Sequence, residues 1–97
     1  MRGNPATVLR VICQVCDTSR DSVVERRGKA TQKAADARKM FCAIAHHRWR
    51  WSRERVTRFL NVGPSNRYHM LKAHAACMAS MPDYRRKFEA VLQEVAC

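Results

Sequence analysis

Residues 51–79, WSRERVTRFLNVGPSNRYHMLKAHAACMA, read as a helix, a tight turn and a second helix. Ser52 suits an N-cap, because its hydroxyl can accept a hydrogen bond from a free amide of the first turn. Val56, Phe59 and Leu60 recur at i, i+3 and i+4, the spacing of one buried helical face. Asn61-Val62-Gly63-Pro64 then breaks the run, since Gly accepts a positive φ and Pro cannot continue a hydrogen-bonded helix. Ser65 is placed to cap the next helix. There Tyr68, Leu71, Ala75 and Met78 form the expected apolar stripe, which leaves Asn66, Arg67, Met70 and His74 pointing outwards. A short helix, a turn containing Gly and a polar-tipped second helix make a helix-turn-helix over about residues 52–79.

The flanking sequence is helical in pattern throughout. In residues 6–16, Val8, Leu9, Ile12, Cys13 and Cys16 fall at 3–4 spacing, and Asp17-Thr18 ends that helix. Ser19 can cap a short helix over residues 20–26 with Val23 and Val24 facing in. Arg26-Arg27-Gly28-Lys29 is a basic hinge, because Gly costs about 1 kcal/mol relative to Ala inside a helix. Thr31 then caps a long helix over residues 32–47, with Ala34, Ala37, Met40, Phe41, Ile44 and Ala45 as its buried stripe. In the corner HHRWRW (46–51) at least one Trp is expected to roof the core. Pro82 and Asp83 suit the positive first turn of a C-terminal helix over about residues 82–96. Its stripe, Tyr84, Phe88, Val91, Leu92 and Val95, either folds back onto the core or meets another subunit; the sequence leaves both open. The expectation is one all-α domain, residues 1–97, built as a five- to six-helix bundle.

Nineteen basic residues face eight acidic ones, a net charge of +11, which favours a polyanionic partner. Fourteen of the nineteen are Arg, the side chain that grips phosphate and guanine edges bidentately. No run of about eighteen apolar residues occurs, so no membrane span is expected. The N-terminus carries no signal-peptide pattern, and the expected location is the cytoplasm. Cys13-x-x-Cys16 has metal-ligand spacing, but His46 and His47 are adjacent and diverge on a helix, so they do not complete a zinc set. Reduced thiols packed as small hydrophobes are the simpler reading, and no metal or cofactor is expected. The four Asp and four Glu are scattered, and Cys42 with His46 lacks an oxyanion hole, so no enzyme is expected.

The order of these elements resembles the C-terminal DNA-binding domain of the replication initiator DnaA, a fold shared with Trp repressor. The residues that carry the resemblance are Val11 to Cys16 with Thr18-Ser19, Glu25-Arg26-Arg27, Ala37-Arg38-Lys39-Met40 leading to Ala43-Ile44-Ala45, and Ser52-x-x-x-Val56-x-x-Phe59-Leu60. It covers about residues 7–78. Where that family opens its second motif helix with an Arg-Asp-His-Thr-Thr-Val-like signature, this chain has Gly63-Pro64-Ser65-Asn66-Arg67-Tyr68. The resemblance therefore implies the same scaffold reading a different site. No G-x-x-x-x-G-K-[ST] phosphate loop is present, so any effect must come from occupancy, bending or a partner rather than ATP hydrolysis. Similar domains occur in phage regulators and in activators of gene transfer agents.

On this reading the partner is double-stranded DNA, with RNA polymerase or a second regulatory protein as a further partner. Ser65, Asn66, Arg67 and Met70 are the expected base readers, because Asn pairs adenine, Arg pairs guanine and Met can touch a thymine methyl. His69 and His74 would meet phosphate. Arg26, Arg27, Lys29 and Lys33 would reach phosphate or an adjacent minor groove, as the corresponding loop does in the resembled family. Arg38, Arg50 and Arg53 would clamp the backbone. The expected function is a sequence-specific transcriptional regulator, an activator of phage-like or gene transfer agent genes. Alternatives are a replication-origin binder or initiator competitor of phage type, and a basic adaptor docking through its C-terminal helix.

Overall fold

The computed structural model describes residues 4–25, 32–63 and 66–95, except for the side chains of Glu25 and Asn66. The elements are α1 (Pro5–Cys16), a π-helical turn (Asp21–Glu25), α2 (Gln32–His47), α3 (Arg53–Leu60), α4 (Asn66–Ser80) and α5 (Pro82–Val95). Among the described residues there is no strand.

Local chemistry sets most of the boundaries. Asn4 caps α1 by accepting from the Ala6 amide at 2.8 Å, and Pro5 needs no partner at the first helical position. Asp17 stops α1 in the left-handed region at φ 57°, with the Thr18 amide returning to the Cys13 carbonyl at 3.0 Å. Ser19 accepts from the Ser22 amide at 3.2 Å and so starts the π-helical turn. Ser52 caps α3 through the Arg55 amide at 3.2 Å. Asn61, rather than Gly63, takes the left-handed position that ends α3, at φ 57°. Asn is among the few residues that visit this region routinely. Thr31 and the pair Pro64-Ser65, read as cap and turn, lie outside the described residues.

Helix α2 is the central post, packed by α1, α3, α4 and the π-helical turn. Its Ala34, Ala37, Met40, Phe41, Cys42, Ala43, Ile44 and Ala45 are buried, against Val8, Leu9, Ile12, Cys13 and Cys16 of α1 among others. Phe41 anchors an aromatic cluster. It stacks on Phe59 at 4.8 Å between centroids and meets Trp49 and Trp51 edge-on at 5.7 and 5.9 Å. Both tryptophans thus roof the core, half-buried.

Helix α5 folds back. Tyr84, Phe88, Val91 and Val95 are buried, and the helix packs on α1 and α4, which resolves the choice left open by its stripe. Burial pushes the Cys16 and Cys42 thiols up to about 11, so both act as packing groups rather than nucleophiles.

The register of α4 corrects the sequence reading. Met70 and His74 face the core, flanked by half-buried Arg67, Leu71, Cys77 and Met78, while Tyr68 and Ala75 face solvent. The buried face is about one residue out of step with the expected stripe. Apolar residues surround this helix almost evenly, so no face dominates by hydropathy. The contact with α5 decides: His74 Nδ1 and the Tyr84 hydroxyl are 2.7 Å apart, and the imidazole packs edge-on against Phe88 at 4.6 Å.

Candidate nucleic-acid interface

The motif helices stand on α2, with α3 and α4 also in mutual contact. Between residues 37 and 82 the chain has nine Lys or Arg and one acid, Glu54. On α3, Arg53, Arg55 and Arg58 are exposed, and Arg48 and Arg50 precede them in the exposed corner. Arg55 lies over the Trp51 ring at 4.1 Å, a cation–π contact that orders the side chain while its charge stays in water. The outward face of α4 presents Tyr68, His69, Lys72, Ala75 and Ala76. Tyr68 is 64% exposed, the most exposed large apolar side chain described.

Acidic residues elsewhere take up cations of their own. Lys33 pairs with Asp17 at 3.0 Å, and its hydrogen bond holds the Asp17 carboxyl below the usual range. Lys39 pairs with Asp36 at 3.0 Å, and Arg86 pairs with Asp83. Arg53 sits 3.6 Å from Glu54 in an exposed pair that costs it little reach.

Of the expected contact residues, Arg50, Arg53 and His69 are exposed as required. Lys33 is exposed but compensated by Asp17. Arg26, Arg27, Lys29, Ser65 and the Asn66 side chain lie outside the described residues.

Four expectations are corrected. Met70, 9% exposed, packs in the core and cannot meet a thymine methyl. His74, 8% exposed, is sealed between α4 and α5; burial above all, then His47 and Lys39, lowers its pKa to about 4, so it carries no charge for phosphate near neutrality. Burial keeps the proton on the Tyr84 phenol, and its hydroxyl and His74 Nδ1 share a hydrogen bond at 2.7 Å. Arg38 turns inward and donates to the Ser22 and Val23 carbonyls at 3.2 Å each, tying the π-helical turn to α2. Arg67 is half-buried and folds back toward α2, with Nη1 2.9 Å from His46 Nδ1.

A guanidinium only donates, so His46 Nδ1 accepts and that ring is neutral with its proton on Nε2. Burial, then His47 and Arg67, lower the His46 pKa in agreement. These groups line a polar cleft of about 310 Å³ formed by His46, His47, Arg50, Trp51 and Arg67. Sequence reasoning passed over this cleft because its members come from a helix end, a turn and the next motif helix. It also placed Tyr68 in the buried stripe and passed over Lys72; their i, i+4 spacing on α4 was the available signal. Among the described residues no three His, Cys, Asp or Glu side chains converge as a metal set. What the surface offers is hydrogen-bond donors, positive charge and one exposed aromatic ring.

No known protein family matches this sequence, and searches of curated proteins and of solved structures likewise returned no match.

Proposed function

We propose that this chain is a sequence-specific double-stranded DNA-binding regulator that inserts the outward face of α4 into the major groove. The observation that carries the reading is the charge placement. The helices α3 and α4, both packed on α2, turn Arg53, Arg55, Arg58 and Lys72 to solvent, with one acid in 46 consecutive residues, 37–82. Phosphate neutralisation by such a surface supplies affinity without sequence preference, and base edges reached from α4 supply the preference. Tyr68, His69 and Lys72 take the reading role first expected of Arg67 and Met70. Ala75 and Ala76 leave the backbone free to approach the groove floor.

In this proposal the scaffold is of the DnaA C-terminal, Trp repressor-like kind, and the chain acts by occupancy and contact with a partner such as RNA polymerase. Control of phage-like or gene transfer agent genes is the role that fits a small basic domain of this kind. An origin binder would use the same surface. The adaptor reading is less favoured, because the α5 stripe it needs is buried inside the chain.

Selection from a pool of random duplexes tests the reading. The expected result is enrichment of one short motif by the wild type, lost when Tyr68 and Lys72 are replaced by Ala. Recovery of unbiased sequence from the wild type would overturn sequence-specific reading. Mapping bound sites in cells then separates a regulator, with sites upstream of genes, from an origin binder.

A further inference from the structure

Among the described residues, the cleft between the end of α2 and the first turn of α4 is lined by His46, His47, Arg50, Trp51 and Arg67, which carry imidazole, guanidinium and indole nitrogens and no carboxylate. Arg67 uses Nη1 on His46, while its Nε is shut off from solvent and has no hydrogen-bond partner among the described residues. A buried charged donor without an acceptor is costly, and native proteins leave few of them. Nε itself is sealed, so the Nη donors of Arg67 and the His46 Nε2–H are what the cleft offers, with the exposed Glu54 carboxylate of α3 near enough to feel the Arg67 charge. The turn brings Arg50 to the same cleft. Arg50 has φ 56°, and the Trp51 amide closes the turn on the Ala45 carbonyl at 3.0 Å. A side chain with a Cβ adopts that backbone only at a cost, and such outliers cluster at functional sites.

We infer that this cleft is an oxyanion site that holds one phosphate of the DNA backbone, with Arg67 and His46 as the pre-set donors and Arg50 completing the grip. The assignment rests on the DNA-binding reading above and sharpens it. Arg67 neighbours Tyr68 on α4, so a phosphate fixed here sets the register with which the outward face meets the bases. Arg67 then acts on the backbone and carries no sequence preference itself.

The test uses the full chain, a 20-base-pair random duplex and, separately, inorganic phosphate. Imidazole resonances of His46 and His47 are followed by NMR, and duplex affinity is measured against salt for wild type, Arg50→Asn and Arg85→Gln. Asn tolerates the left-handed backbone at position 50, so folding is retained, and Arg85 is an exposed control on α5. The expected result is that duplex shifts both imidazole signals and that Arg50→Asn lowers the salt slope by about 1, while Arg85→Gln leaves it unchanged. Duplex binding by the wild type with unmoved imidazole signals and an unchanged slope in Arg50→Asn overturns the cleft and leaves the DNA reading standing. Shifts with inorganic phosphate but no duplex binding overturn the DNA assignment and leave a free-anion site. No response to either ligand overturns both.

Discussion

Tyr68 and Met70 stand two positions apart on α4 and face nearly opposite ways, so their truncations separate reading from folding. Tyr68→Ala should leave stability within about 0.5 kcal/mol, as for exposed positions generally, and cost about 1–3 kcal/mol on the selected site but little on random DNA. Met70→Ala should cost about 2–5 kcal/mol of stability, and correction to the folded fraction should restore its DNA affinity. Denaturation curves paired with binding curves on specific and random duplexes check both. His74 makes a second residue-scale prediction. Its pKa is held at about 4 in the folded chain by burial first and then by His47 and Lys39, against an ordinary 6.5. Between those values the unfolded chain takes up a proton that the folded chain refuses, so stability is greatest above pH 6.5 and falls as pH drops toward 4. The loss should approach about 3 kcal/mol at the bottom of that window, with His46 adding in the same direction. Urea midpoints from pH 7 to 4.5 should show the fall in wild type and a flatter profile in His74→Gln. Equal slopes would remove His74 as the cause.

At the scale of elements, helix existence and ends were legible because single residues announce them. Ser52, Asp17 and Pro82 each act within one turn of their own position. The facing of α4 was not legible, since its apolar residues ring the helix and the arbiter, Tyr84, lies on the next helix. Arg38 was misread for a related reason: its acceptors are carbonyls of a π-helical turn about fifteen residues earlier, which no side-chain pattern marks. The candidate site was therefore half visible. The exposed cations of α3 followed from composition and spacing, whereas the cleft around Arg67 required the packing of α4 on α2. Helix α5 is an integral wall of the core, so Phe88→Ala should cost about 3–5 kcal/mol. It should also loosen His74, which loses its ring contact. A small loss by chemical denaturation would instead mark α5 as a peripheral, detachable helix.

For the whole molecule, the net charge of +11 matters less than where its compensation lies. Asp17, Asp36 and Asp83 neutralise Lys33, Lys39 and Arg86 on α1, α2 and α5. The motif keeps its arginines, with Glu54 the one acid in residues 52–79. One face is thus left rich in uncompensated positive charge, which favours a polyanionic partner, and the partner proposed for it is a phosphodiester backbone. The direct measurement of that claim is the affinity for a 20-base-pair duplex, followed by fluorescence anisotropy, as salt is raised from about 50 to 200 mM. Six to eight phosphate contacts predict a slope of log K against log salt of about −5 to −7. A slope near zero, or no binding at the low-salt end, would contradict the account.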